Sequence, residues 1–186
     1  MKDVQITLND GTSVKGVVFD SNDYQKMRKI FKQCMEVSDL LRSLGGRKLN
    51  IPDVISEGIY CVLFNAARTN GDAYSYDAVD LNTKEGIQIK SASIANDCTS
   101  FGPTSTWDKL VFMDFAPNDV VDGNIDFYEI PSEEVYGLIL NNSKNETFLD
   151  QQKQGRRPRF SIKKLIIAKK NIKPFARINL LEETSH

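Results

Sequence analysis

AYSYDAVDLNTKEGIQIKSAS, residues 73–93, is the stretch whose reading decides the fold. Its second half, GIQIKSAS, puts Ile87 and Ile89 on one face of a strand and Gln88 and Lys90 on the other. Its first half, AYSYDAVDL, also reads as a strand, and the link NTKE is rich in turn-forming residues. Two such runs predict a hairpin. Alternation then keeps Gln88 and Lys90 together, and a register that aligns them near Asp77, at or near the end of the first strand, gathers an acid, an amide and an ammonium in one place.

Upstream, VQITLNDGTSVKGVVF alternates on both sides of Asn9-Asp10-Gly11, which predicts an N-terminal hairpin within residues 1–20. The segment from Ser21 carries Met27, Ile30, Phe31, Cys34, Val37, Leu40, Leu41 and Leu44 at helical spacing and stops at Gly45; Ser21, Asn22 or Asp23 is its expected N-cap. A second helix is expected from Pro52 through about Arg68, with Ile55, Ile59, Val62, Leu63 and Ala66 buried and Glu57 near that stripe. Downstream, KLVFMDF and IDFYEI read as strands, PSEEVYGLIL opens like a helix, and NNSKNETFLDQQKQGRRPRF is a long polar segment of the kind that is often functional. The tail IKKLIIAKKNIKPFARINL reads as a strand or short helix and then an irregular end. Helices first and a central sheet after them indicate an α/β (α+β) domain.

The length, 186 residues, suits one domain, with an N-terminal hairpin (1–20), a helix and sheet region (50–115) and a basic region (144–177). An apolar fraction of 40% and a charged fraction of 26% exclude a disordered or fibrous chain. No apolar run reaches the ~18 residues of a membrane span, and Met1-Lys2-Asp3-Val4 opens a polar alternating segment, so a cytoplasmic protein is expected. Cys34, Cys61 and Cys98 have neither zinc-site spacing nor an even count; they read as reduced thiols, two of them in the core. The only histidine, His186, is the last residue, which disfavours serine or cysteine triads for want of an internal base.

The formal net charge of −1 hides an asymmetry. Lys144, Lys153, Arg156, Arg157, Arg159, Lys163, Lys164, Lys169, Lys170, Lys173 and Arg177 crowd the C-terminal part, and no acid lies between Asp150 and Glu182. Such a stretch suits a polyanion such as nucleic acid, although a solvated basic face has the same composition.

The hairpin residues carry a definite chemistry. Asp77, with an oxygen from Gln88 and backbone carbonyls, offers the hard ligands that Mg²⁺ prefers, and Lys90 could orient a water there. Metal-assisted hydrolysis of a phosphodiester needs such a pairing, and Glu57 could add an outer carboxylate. Asp77 followed across a hairpin by IQIK, and then by the strand KLVFMDF, resembles the PD-(D/E)xK nuclease superfamily, with Gln88 in place of the usual acid, a Q-x-K form that some restriction enzymes carry. SEGIYCVLFNAAR (56–68), CTSFGPTSTWDKLVFMDF (98–115) and ETFLDQQKQGRRPRFSIKKLII (146–167) together resemble the small type II restriction endonucleases that recognise GCNGC or a narrower form of it. The resemblance spans roughly residues 50–175.

That resemblance implies a restriction-endonuclease-like sheet flanked by helices, Mg²⁺ as cofactor with Mn²⁺ able to substitute, double-stranded DNA as substrate, a homodimer, and a cognate methyltransferase that protects host DNA. It implies that Asp77 is the essential metal ligand, that Gln88 assists through side chain or backbone, that Lys90 positions the attacking water, and that Glu57 supports the metal. For base readout the leading segment is DQQKQGRRPRF. Arg pairs with guanine and Gln with adenine through two hydrogen bonds each, which singles out Gln151, Gln152, Gln154, Arg156, Arg157 and Arg159, with Lys163 beyond them. The same arginines could bind phosphates alone. Ser100 and Thr104, in NDCTSFGPTST, are further candidates for DNA contact, and Trp107 is expected in the core or at a helix start. A non-enzymatic DNA-binding module on a decayed nuclease fold, a repair or junction nuclease, and an interaction protein with a solubilising tail are the alternative readings.

Overall fold

The computed structural model describes residues 1–69 and 75–182; the start of the 73–81 run and His186 lie outside them. β1 (Lys2–Thr7) and β2 (Ser13–Val18) form the expected N-terminal hairpin, and Gly11 takes a φ of +84° in its turn, which only glycine adopts freely. α1 (Ser21–Ser43) begins one residue earlier than expected: its N-cap is Asp20, whose side chain accepts from the Asp23 N–H while the Asp23 carboxylate accepts from the Asp20 N–H. At the other end, the Gly45 and Gly46 N–H groups donate to the Arg42 and Leu41 carbonyls, a Schellman motif that stops the helix where the sequence indicated. Of the eight apolar residues at helical spacing, Met27 and Phe31 are buried, whereas Ile30, Val37, Leu40 and Leu44 are exposed. Those positions span a wider arc than the one face that the rest of the chain covers.

α2 (Asp53–Leu63) is shorter than expected. Asn65, at φ +51°, turns the chain, and β3 (Ala66–Thr69) follows, pairing with β2 on one side and with β4 (Ala78–Asp80) on the other. Ile55 and Ile59 are buried as expected; Leu63 is exposed, and Ala66 is buried in a strand and not on a helix. The chain continues through β5 (Gly86–Ala92), β6 (Thr99–Ser100), β7 (Lys109–Asp114), β8 (Asn124–Ile130), α3 (Ser132–Tyr136), β9 (Ile139–Asn141), β10 (Glu146–Thr147), α4 (Phe148–Lys153) and β11 (Arg159–Phe160). One wide helical turn, Lys163–Ile167, runs into α5 (Ala168–Lys170). Where an irregular end was expected, β12 (Ala176–Asn179) pairs antiparallel with β8.

The main sheet has eight strands in the order β1-β2-β3-β4-β5-β7-β8-β12, antiparallel except between β5 and β7. This is the mixed, helix-flanked sheet that the sequence led us to expect. Alternation divides its core in two. Ile87, Ile89, Val111, Met113, Ile125 and Phe127 pack with Met27, Phe31, Ile55 and Ile59 of α1 and α2. On the opposite face Leu110, Phe112 and Ile130 pack with Phe101, Trp107, Phe148, Phe160, Ile162 and Ile166, so the C-terminal segment lies on the side of the sheet that carries Gln88 and Lys90. Trp107 belongs to this second core, stacked 5.2 Å from Tyr136 and donating through Nε1 to Ser132. Cys61 is the one thiol in the core; Cys34 is half-buried and Cys98 exposed. Among the described residues no helix is long and apolar enough to cross a membrane.

Candidate active site

The β4–β5 pairing sets the site. Ala78 lies opposite Ile87, and the Asp77 N–H donates to the Ile87 carbonyl at 2.9 Å, so Asp77 stands at the start of β4 and not near the end of its strand. Its carboxylate accepts from Gln88 Nε2 and, at 2.7 Å, from the Ile89 N–H. Burial raises the pKa of Asp77, while the Lys90 ammonium and the Ile89 N–H oppose the rise. The expected meeting of Asp77, Gln88 and Lys90 is therefore realised across the strand pair. Lys90 Nζ sits 5.5 Å from the centroid of the buried Phe101 ring, within cation–π range.

Glu57, on α2, is near enough to Asp77 for the two carboxylates to act on each other through their charges. Arg68 Nε on β3 donates to Glu57 Oε2 at 2.5 Å. Burial, reinforced by the charge of Asp77, pushes the Glu57 carboxyl up to about 7 against the pull of Arg68. Arg68 and Asp53, both of which influence Asp77 electrostatically, belong to this constellation and were not foreseen. Asp53 stands one helical turn before Glu57, so an i, i+4 acid pair after Pro52 was the available signal. Asp53, Asn50, Ser91, Ser93 and Thr99 line a cleft that opens where β5 runs out past Lys90.

The raised pKa of Glu57 makes a testable pH signature for the metal-free protein. Between the ordinary carboxyl value of 4.5 and about 7 the folded state binds more protons than the unfolded one, so this contribution to stability is complete below the lower value and is lost as pH rises through the upper. In EDTA, Glu57→Gln is expected to flatten the fall in melting temperature between roughly pH 5 and 8. Parallel curves for the two proteins would show that Glu57 titrates normally.

The basic region packs against this centre. Asp97, buried, accepts from Thr99 Oγ1, Ser161 Oγ and the Ile162 and Lys163 N–H groups, pinning the start of the C-terminal helical turn to the loop after β5. Lys163 Nζ lies 2.8 Å from Asp114 and 3.1 Å from the Ala116 carbonyl, so it braces β7 from inside. β11 pairs with β6, placing Arg159 opposite Ser100, whose buried Oγ has no partner among the described residues. Gln152 Nε2 donates to the Gly102 and Ser105 carbonyls, Gln151 and Gln154 donate to Glu146, and Arg156 forms an ion pair with Glu146. Arg157, Arg159 and Thr104 are exposed.

Comparison with known proteins gives this arrangement a family. No solved structure matches the chain. A curated relative, the type II restriction enzyme Bsp6I of Bacillus sp. (strain RFL6), is 31% identical over 167 residues, covering 88% of this chain and 92% of that enzyme. The family described as Bsp6I restriction endonuclease matches residues 19–169, which hold Asp77, Gln88, Lys90, Glu57 and the basic loop alike. The chain belongs to the Bsp6I restriction endonuclease family.

Proposed function

We propose that this chain is a Mg²⁺-dependent type II endodeoxyribonuclease of the PD-(D/E)xK class, in its Q-x-K form, that makes double-strand cuts at a short, G·C-rich palindromic site of the GCNGC type. The observation that carries the reading is the Asp77 carboxylate meeting the Gln88 amide across β4 and β5, with Lys90 two residues on, in a chain of this family. A two-fold site calls for two active sites, which a symmetric homodimer supplies. The cognate methyltransferase is a partner in the genetic sense, not in a stable complex.

The donor set fits the ion. Mg²⁺ characteristically takes one or two carboxylates, keeps several waters and completes its shell with substrate phosphate oxygens, and Asp77 and Glu57 are two carboxylates near enough for their charges to interact, with the Gln88 amide on the first. Asp77, with Gln88 beside it and Glu57 in support, would hold it. When bound, the ion polarises the scissile phosphate and makes nearby water more acidic. Lys90, which rests over the Phe101 ring and acts on Asp77 through its charge, would orient the attacking water and offset the negative charge that builds up in the five-coordinate transition state at phosphorus. Arg157 and Arg159 present cations to the duplex from the exposed side of the same segment, and Gln151, Gln152, Gln154 and Arg156 form the ordered part of the recognition loop.

Short duplexes test the reading. One carrying a single GCNGC sequence is expected to be cut in both strands with Mg²⁺ or Mn²⁺ and to survive in EDTA, while a duplex with the outer bases permuted stays whole; equal cutting of both would refute sequence recognition. The neutral Gln88 at a position where the class carries an acid supports a second reading, a DNA-binding module that has lost cleavage. That protein would shift both duplexes in a gel and cut neither.

A further inference from the structure

Three side chains of the recognition loop converge on one carboxylate. Glu146 is 8% exposed; Gln154 Nε2 donates to its Oε1 at 2.9 Å, Gln151 Nε2 to its Oε2 at 3.3 Å, and Arg156 closes an ion pair on Oε1. The backbone is shaped to produce this. Asn145, at φ +49°, and an irregularity in the β9–β10 register aim Glu146 inward. Thr147 then caps α4 in a box with Asp150. At the far end Gly155, at φ +70°, makes a Schellman turn in which the Gly155 N–H donates to Gln152 and the Arg156 N–H to Gln151, returning Arg156 beside the residue from which the loop set out. The Arg156 side chain is nonetheless 46% exposed. A guanidinium has five N–H donors, so engagement with Glu146 leaves others facing outward.

We propose that Glu146 is a specificity-determining positioning residue: it touches no DNA, and it holds Arg156, with Gln151 and Gln154, in the orientation that reads a G·C base pair. The inference rests on the sequence-specific reading above. An arginine without a partner is a mobile cation that serves any phosphate. Fixed on one edge by a buried carboxylate, it loses much of that indiscriminate attraction and presents a planar fork matching O6 and N7 of guanine, with its ordering cost met before DNA arrives. Hydrogen bonding from Arg156, helped by Gln154, holds the Glu146 carboxyl down at about 2, so the partner stays charged at any working pH.

Discrimination is read as the ratio of kcat/KM on the GCNGC duplex to that on duplexes with one outer G·C pair changed. Glu146→Gln is expected to lower that ratio about tenfold, the scale of one good bidentate base contact, and to tighten binding to unrelated duplex because a negative charge has gone. In an Arg156→Ala background the same substitution is expected to change the ratio no further, which a merely structural role for Glu146 would not produce. Arg156→Lys, an exposed change that keeps the charge and loses the fork, tests the same point should Glu146→Gln fold poorly, and the ratio is again expected to fall. Wild-type discrimination in Glu146→Gln or Arg156→Lys, with loss in Arg156→Ala, would overturn the role of Glu146 and leave the recognition loop standing. Wild-type discrimination in Arg156→Ala would remove Arg156 as a reader and the proposal with it, and absence of site preference in the unmodified protein would instead overturn the function itself.

Discussion

Asp77→Ala is expected to lower the DNA cleavage rate by roughly a thousandfold or more, since it takes away several kcal/mol of transition-state charge stabilisation at about 1.4 kcal/mol per factor of ten. Duplex binding in a gel is expected to stay near wild type, because the exposed cations of the recognition segment lie elsewhere in the chain. The separation of the two effects is the informative part. Asp77 receives the Gln88 amide and the Ile89 N–H, so Asp77→Ala leaves two buried donors unpaired at a cost of about 1–3 kcal/mol, partly offset because a desolvated carboxylate is also removed, and the sheet is expected to stay folded. Asp77→Asn keeps the shape and can still accept both hydrogen bonds, and its cleavage is expected to be lost to a similar extent. Cleavage within about threefold of wild type in either variant would move the catalytic carboxylate elsewhere, with Glu57 and Asp53 the next to examine.

Phe127→Ala is the corresponding prediction for the fold. Phe127 is fully buried on β8, where its ring meets Phe64 edge-on at 5.1 Å and Phe175 at 6.2 Å in the core beneath α1 and α2. Removing a buried phenyl ring costs about 3–5 kcal/mol, a large part of the roughly 5–15 kcal/mol that holds a domain folded. A fall of roughly 10 °C in melting temperature is expected for a chain of this size. Phe175, half exposed at 49%, packs on the same rings and should cost less than half as much when cut to Ala. Equal shifts for the two variants would mean that this part of the core is not packed as described.

The hairpin and the central strands were legible because their signals are local. Asp10-Gly11 between alternating runs, the Ile87/Ile89 alternation and the Gly45 stop each act within a few residues, and each is realised in the fold. The site followed from them: a short turn between two strands leaves few registers, and one of those registers brings Gln88 and Lys90 to Asp77. What failed depends on distant partners. Residues 66–68 continue the helical spacing of α2, and only pairing with Gly16–Val17 on one side and Ala78–Asp80 on the other makes them part of a strand. β12 likewise has meaning only beside β8. Arg68 and Glu57 find each other because that unforeseen strand exists, and Glu146 is hidden in the sequence because a left-handed Gly155 and an irregular strand pair carry its partners to it.

Digestion of a plasmid of known sequence by the purified chain with Mg²⁺, followed by sequencing of every terminus, tests the central claim most directly. The account predicts discrete fragments whose ends all fall at one short palindromic sequence of the GCNGC type, and none in EDTA. Ends scattered without sequence, or DNA that is bound yet intact in both Mg²⁺ and Mn²⁺, would contradict it.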